Sequence, residues 1–127
     1  MRYLVLATAL LIAPPATAEV NSASDHGFVI KHRVTLVVPP EVLYRSIGRI
    51  GSWWSGEHTY SGSASNLSLD LRPGGCFCER LPGGGGIEHL RVAYVEPGKR
   101  VVLTGALGPL LYEGVTGAMD LKVERIA

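Results

Sequence analysis

The second half of the chain alternates between apolar and polar residues in short runs, and Pro- and Gly-rich turns separate these runs. A period of two residues between such turns is typical of antiparallel strands joined by hairpins. In the last run an apolar row that includes Val115, Met119 and Leu121 lies on one side. The region therefore predicts a β-meander. Its runs are NLSLDL (66–71), CFCERL (76–81), IEHLRVAYV (87–95), RVVLTGAL (100–107) and GVTGAMDLKVE (114–124).

The residues before the meander predict one strand followed by short helices. The run FVIKHRVTLVV, residues 28–38, is rich in β-branched residues and ends at two prolines. Pro40 suits a first helical turn, and apolar residues then recur at helical spacing up to Ile50. Gly48 and Gly51 divide this stretch into a short helix and a further turn, which a polar loop follows. Strand, helices and successive antiparallel strands together indicate an α+β fold.

The first eighteen residues have the layout of a secretory signal peptide. Arg2 precedes an apolar run, residues 3–13, and Pro14 and Pro15 come before a small-residue ending that suits cleavage after Ala18. A buried N-terminal helix is the alternative, although the two prolines would break it. The apolar run is shorter than the roughly 20 residues that cross a bilayer. We therefore expect export to the periplasm or the medium, with no retained membrane span.

The remaining length predicts a linker, residues 19–27, and one domain, residues 28–127, with a single modest core. The chain has 12 Lys and Arg residues against 11 Asp and Glu residues. It contains no long basic run, so we do not expect a nucleic-acid partner. No metal-binding or cofactor motif stands out, and no cofactor is expected.

The hairpin that joins the second and third runs decides which way the only two cysteines point. If it is centred on Gly84, Cys78 faces Leu90 and Cys76 faces Val92, so both cysteines meet apolar partners. A register shifted by one residue loses these matches, and the centred register is preferred. It pairs Arg80 with Glu88 and Glu79 with His89, and it predicts a buried face with Cys76, Cys78, Leu90, Val92 and Tyr94 and another face with Phe77, Glu79, His89 and Arg91.

Cys76 and Cys78 are expected to be free thiols. Two residues apart on a strand, their Cα atoms lie roughly 6.6 Å apart with parallel Cβ vectors, and a disulfide would strain the strand. Small apolar residues of this kind fill a core or line a cavity. A metal pair completed by a histidine, or a reactive thiol, are the alternatives.

Several short motifs, taken in order, resemble the SRPBCC superfamily. This superfamily comprises the helix-grip proteins, with START domains, the Bet v 1 group, polyketide cyclases and relatives of the Hsp90-ATPase activator. GGCFCE, GALGPL and GVTGAM are most similar to an exported bacterial subgroup of unassigned activity. The resemblance covers residues 28–127, and it lies in Pro39 to Val42, the pair Trp53 and Trp54, Pro73 to Gly75 before the strand with Phe77, and RVAYVEPGKRVVLTG, residues 91–105.

The resemblance implies a curved antiparallel sheet that grips a long C-terminal helix over an apolar cavity. Because the chain ends at Ala127, after what would be the sixth strand, we expect the last strand and the gripping helix to be missing. On this interpretation either the sequence is a fragment, or an oligomer or another partner covers the open face of the sheet. An uncovered apolar face would favour aggregation.

The predicted function is that of an exported module that binds a hydrophobic small molecule, lipid-like or aromatic, in a cavity lined by the sheet. No catalytic residue is assigned. One alternative is a cyclase- or hydrolase-like enzyme that uses His32, Tyr94 or a cysteine thiol; the other is a chaperone-coactivator-like interaction protein. The candidate cavity residues are His32, Trp53, Trp54, Cys76, Cys78, Leu90, Val92, Tyr94 and Met119.

Overall fold

The computed structural model describes residues 17–126, which form two compact units, 17–37 and 38–126. The predicted signal peptide, residues 1–18, lies outside the described residues except for Thr17 and Ala18. The described part is an α+β structure with a two-stranded sheet, a five-stranded antiparallel sheet and little helix. This confirms the predicted α+β class.

The first unit is an antiparallel hairpin of β1 (Thr17–Ser24) and β2 (Gly27–Arg33). Turn-forming residues from Ser24 to Gly27 connect the strands. The predicted linker, residues 19–27, thus forms most of β1 and the turn. The strand predicted over residues 28–38 is shorter in the structure. β2 stops at Arg33, which pairs with Thr17, the first described residue.

The second unit begins with α1 (Pro40–Gly48), as predicted. Pro40 occupies the first turn, where its missing N–H costs nothing, and Glu41 complements the positive end of the helix dipole. Short 3-10 turns follow at Ile50–Ser52, Gly56–His58 and Ala64–Asn66. The last two of these turns lie in the segment that the sequence predicts to be a polar loop.

The five-stranded sheet is the predicted meander. Its strands lie side by side in chain order, and every neighbouring pair is antiparallel. Short 3-10 turns at Pro82–Gly84 and Gly108–Glu113 lie between strands. The strands are β3 (Leu67–Leu69), β4 (Cys76–Arg80), β5 (Gly86–Glu96), β6 (Arg100–Gly105) and β7 (Gly117–Lys122).

The register predicted for β4 and β5 is wrong. At the hairpin tip the amide of Leu81 donates to the carbonyl of Gly85 at 2.8 Å, so the turn is tighter than a hairpin centred on Gly84. Farther along, β5 carries a bulge: His89 has no partner residue on β4 in the ladder. The observed pairs are Arg80 with Gly86, Glu79 with Ile87, Cys78 with Glu88, Phe77 with Leu90 and Cys76 with Arg91.

The predicted burial of the β4 faces is also wrong. Phe77 and Glu79 point into the core, each 1% exposed, while Cys76 and Cys78 are half-buried on the opposite face. Side chains alternate between the two faces of a strand, so a prediction that assigns one residue of β4 to the wrong face assigns all of them wrongly. On β5 the bulge interrupts this alternation, so that both His89 and Leu90 are buried.

Cys76 and Cys78 form a disulfide, so the prediction of free thiols is wrong. Their Cα atoms are 5.3 Å apart, less than in an extended strand. This separation lies within the range that disulfides use. The contraction of β4 lies opposite the bulge of β5, where regular strand geometry is already broken.

The core of the second unit lies between the helical segment and one face of the sheet. Ile47 of α1 and Ile50 of the next turn supply the helical side. Met119 and Leu121, predicted to form an apolar row, are half-buried against this core, and Val115 is exposed. The buried hydrophobic residues are Ile47, Ile50, Leu67, Leu69, Phe77, Leu90, Val92, Val101, Leu103 and Val123.

Candidate functional site

An open cleft of about 640 Å³ lies in the second unit, and most of its lining is apolar. Its size suits a small organic molecule. Three parts of the chain meet there. They are the loop after α1, here residues 54–60, the buried face of β4 and β5, and the segment after β6, residues 107–110. The lining residues are Trp54, Glu57, His58, Thr59, Tyr60, Phe77, His89, Leu107, Gly108, Pro109 and Leu110.

Trp54 and Phe77 form a fixed aromatic part of the cleft. Their rings pack edge to face, with centroids 5.5 Å apart and planes at 68°. The indole Nε1 of Trp54 donates to the carbonyl oxygen of His58 at 3.0 Å. Since both packing and a hydrogen bond hold the indole, this part of the cleft is formed before any ligand binds.

A buried polar pair, Glu79 and His89, lies beside these aromatic rings. Nε2 of His89 and Oε2 of Glu79 are 2.9 Å apart, and the two residues are only 5% and 1% exposed. The ring centroid of His89 is 5.0 Å from that of Phe77 and 6.0 Å from that of Tyr60. The bulge in β5 turns His89 toward the core and brings it to Glu79.

The loop after α1 also holds the Glu79 carboxylate. The backbone amide of Ser61 donates to Oε1 at 2.5 Å, and that of Tyr60 donates to Oε2 at 3.2 Å. Burial by itself raises the pKa of Glu79, but the hydrogen bonds from Ser61, His89 and Tyr60 outweigh it and lower the pKa from 4.5 to about 2. Glu79 is therefore ionised at neutral pH and only accepts hydrogen bonds.

Nδ1 of His89 is buried and has no hydrogen-bond partner among the residues that the structure describes. An ionised carboxylate accepts the hydrogen of Nε2, so the neutral imidazole carries its proton on Nε2 and a lone pair on Nδ1. A buried polar atom without a partner costs about 1–3 kcal/mol. The Glu79 carboxylate of the pair thus has hydrogen-bond donors on both oxygens, whereas Nδ1 of His89 has none among the described residues.

Tyr60 lies next to this pair, and Tyr112 lies beside Tyr60, with ring centroids 6.5 Å apart. Burial, followed by the nearby hydroxyl of Tyr112 and the negative charge of Glu79, raises the pKa of Tyr60. The Tyr60 hydroxyl therefore keeps its proton at neutral pH and can donate a hydrogen bond.

Of the predicted cavity residues in the second unit, Trp54 lines the cleft. Leu90 and Val92 are core residues, Tyr94 and Trp53 are about half exposed, and Met119 packs against the core. The disulfide-bonded Cys76 and Cys78 lie on the other face of β4. His32 is on β2 in the first unit, with its side chain exposed.

The sequence prediction missed Tyr60, His89 and the segment from Leu107 to Leu110 as cleft residues. The signal for His89 was present, because the predicted hairpin grouped Phe77, Glu79 and His89 on one face. In the structure these three residues do share a face, which is the buried one, whereas Arg91, predicted with them, is exposed. Nothing in the residue pattern indicated that the loop after α1 and the segment after β6 would meet.

The chain matches no protein-family model, no curated protein and no solved structure. The resemblance to the SRPBCC superfamily therefore stays a prediction. In residues 17–126, no helix is long and apolar enough to span a membrane. The same residues contain no group of three or more His, Cys, Asp or Glu side chains placed to hold a metal ion.

Proposed function

We propose that the chain is an exported binding module for an apolar small molecule, which it holds in the cleft of the second unit. The observation that carries the proposal is the cleft itself, which has a volume of about 640 Å³, mostly aromatic and aliphatic walls, and the buried Glu79–His89 pair beside them. Apolar walls with few polar groups are the common composition of small-molecule sites. The chemistry of the lining favours an aromatic or lipid-like ligand.

The proposal includes a helix-grip fold of the SRPBCC type. The antiparallel five-stranded sheet, with α1 before it and a ligand-sized cleft on its buried face, is compatible with that architecture. The enzyme alternative loses one of its suggested groups, because neither cysteine of the disulfide offers a thiolate. Binding without catalysis is accordingly the function that the cleft supports best.

The test uses phenylnaphthylamine, a neutral dye that fluoresces in apolar surroundings. Leu110 lines the cleft, whereas its neighbour Leu111 is exposed and lies outside the lining. We expect saturable binding to the wild type and a loss of about tenfold or more in affinity for Leu110→Asp, because a charge would be placed in an apolar wall. The matched control Leu111→Asp should bind as the wild type does.

Two results would contradict the proposal. One is the absence of saturable dye binding to the folded wild-type protein. The other is an equal effect of the two substitutions, since that would locate the dye outside the cleft. Circular dichroism of both variants shows that they are folded before binding is compared.

A further inference from the structure

Both carboxylate oxygens of Glu79 in the Glu79–His89 pair already accept hydrogen bonds. Ser61 supplies a donor to Oε1, and Tyr60 and the imidazole supply donors to Oε2. Neither oxygen of Glu79 needs a ligand. Any unsatisfied hydrogen-bonding capacity of the pair is therefore at the far side of the imidazole.

The chemical character of that far side follows from the carboxylate. An ionised Glu79 cannot donate, so Nε2 of His89 must carry the hydrogen that joins the pair. In the neutral ring Nδ1 then holds a lone pair. It acts as an acceptor, and it has no donor from the part of the chain that the structure describes.

The imidazole is at the right place to serve a ligand. His89 lines the cleft between Phe77 and Tyr60, although Nδ1 itself is below the surface of the wall. Tyr60 is 40% exposed, and its ring packs beside those of His89 and Tyr112. A shift of this side chain can open a path from the cleft to Nδ1.

We infer that His89 Nδ1 is the polar anchor of the cleft and accepts a hydrogen bond from the bound molecule. The ligand is then an apolar molecule that carries a hydroxyl or N–H donor, with its apolar body against Trp54, Phe77 and the segment after β6. Glu79 acts as the positioning residue, because it fixes which ring nitrogen bears the proton. This inference rests on the proposed binding of an apolar molecule in the cleft.

The experiment measures how naphthol and methoxynaphthalene displace phenylnaphthylamine from the full chain at neutral pH. The two competitors have similar size and shape, but only naphthol donates a hydrogen bond. If Nδ1 is the anchor, naphthol binds at least about fivefold more tightly, which corresponds to satisfying one buried acceptor. Equal affinities would overturn the inference.

Two variants locate the preference. His89→Phe removes Nδ1 and keeps an aromatic ring, so the two competitors should bind alike. In Glu79→Gln, the amide oxygen takes the place of Oε1 and accepts from the backbone of Ser61, and the NH₂ group takes the place of Oε2, where it faces the imidazole and donates to Nε2. The imidazole proton then moves to Nδ1, and naphthol should lose its advantage, because its hydroxyl oxygen and the methoxy oxygen can both accept from Nδ1–H.

Loss of the naphthol preference while the affinity for methoxynaphthalene is kept is a readout that a purely structural role of Glu79 would not produce. Thermal unfolding shows whether each variant is folded, and if one is not, the other and the wild type still decide the question. A preference for naphthol that survives His89→Phe would overturn the assignment to Nδ1. If phenylnaphthylamine itself does not bind, the proposed function fails; if it binds but naphthol has no advantage, only this inference fails.

Discussion

Glu79 is a carboxylate that stays charged although it is almost fully buried. Desolvation opposes ionisation, but two backbone amides and an imidazole N–H are directed at its two oxygens. These hydrogen bonds therefore stabilise the charged form of Glu79 more than the neutral form. The two amide donors connect the loop after α1 to β4, so the charge of one residue helps to hold a wall of the cleft in place.

The stability of the fold should consequently depend on pH through Glu79. Its pKa is lowered in the folded protein from 4.5 to about 2, so the unfolded chain binds the proton first as the pH falls. This contribution is fully present above pH 4.5 and is lost as the pH approaches 2. It amounts to about 3 kcal/mol at 1.36 kcal/mol per pH unit. Urea unfolding at pH values from 7 to 2 measures it.

The control for this measurement is Glu79→Gln, which cannot titrate. Other carboxylates give both proteins a common slope, and the difference between the two curves isolates Glu79. The wild type should lose its advantage over the variant between pH 4.5 and 2. A difference in the free energy of unfolding that stays constant over this range would show that Glu79 is not held as the structure has it.

At the scale of the elements, the hairpin of β4 and β5 shows what local sequence can and cannot predict. The alternation and the Gly-rich turn correctly indicated two antiparallel strands. The register depended on the tight tip and on the bulge at His89, and neither has a distinctive residue pattern. A small error in register was enough to assign the faces of β4 the wrong way round.

The disulfide between Cys76 and Cys78 belongs to this same element. It closes a loop of three residues, and the chain-entropy model gives such a loop only about 1.6 kcal/mol of stabilisation. We therefore expect the double variant Cys76→Ser, Cys78→Ser to fold and to lose less than about 2 kcal/mol of stability in urea unfolding. The free energy of unfolding of this variant should equal that of the wild type measured with dithiothreitol, which reduces the disulfide.

The presence of the bond itself can be checked on the wild-type protein. Alkylation under denaturing conditions without a reductant should leave both cysteines unmodified, and prior reduction should allow two alkylations per chain. Two alkylations without a reductant would restore the expectation of free thiols. They would also contradict the contraction of β4.

At the scale of the whole molecule, the fold class was easier to predict than the site. Periodicity and turn residues act over a few positions, so α1 and the strands of the meander were found from the sequence. The cleft joins the loop after α1, the sheet and the segment after β6, which are far apart in the chain. Contacts between such distant segments depend on tertiary packing. Of the predicted cavity residues in the second unit, only Trp54 lines the cleft.

The division into two units gives a last prediction. Every buried core residue of the described structure, and the whole lining of the cleft, lies between residues 43 and 123. The exposed hairpin of residues 17–33 supplies none of them. Because stability comes chiefly from burial of apolar surface, the second unit should not need this hairpin in order to fold.

A variant that consists of residues 38–127 should therefore unfold cooperatively in urea, with a free energy within about 1 kcal/mol of the full chain, since exposed segments contribute little. It should also bind phenylnaphthylamine with unchanged affinity, because no lining residue is removed. The full chain with Phe28→Ala and Ile30→Ala, two exposed positions of β2, is the matched control and should behave alike. Loss of cooperative unfolding on truncation would mean that the hairpin completes the core, and the two units would then be a single folding unit.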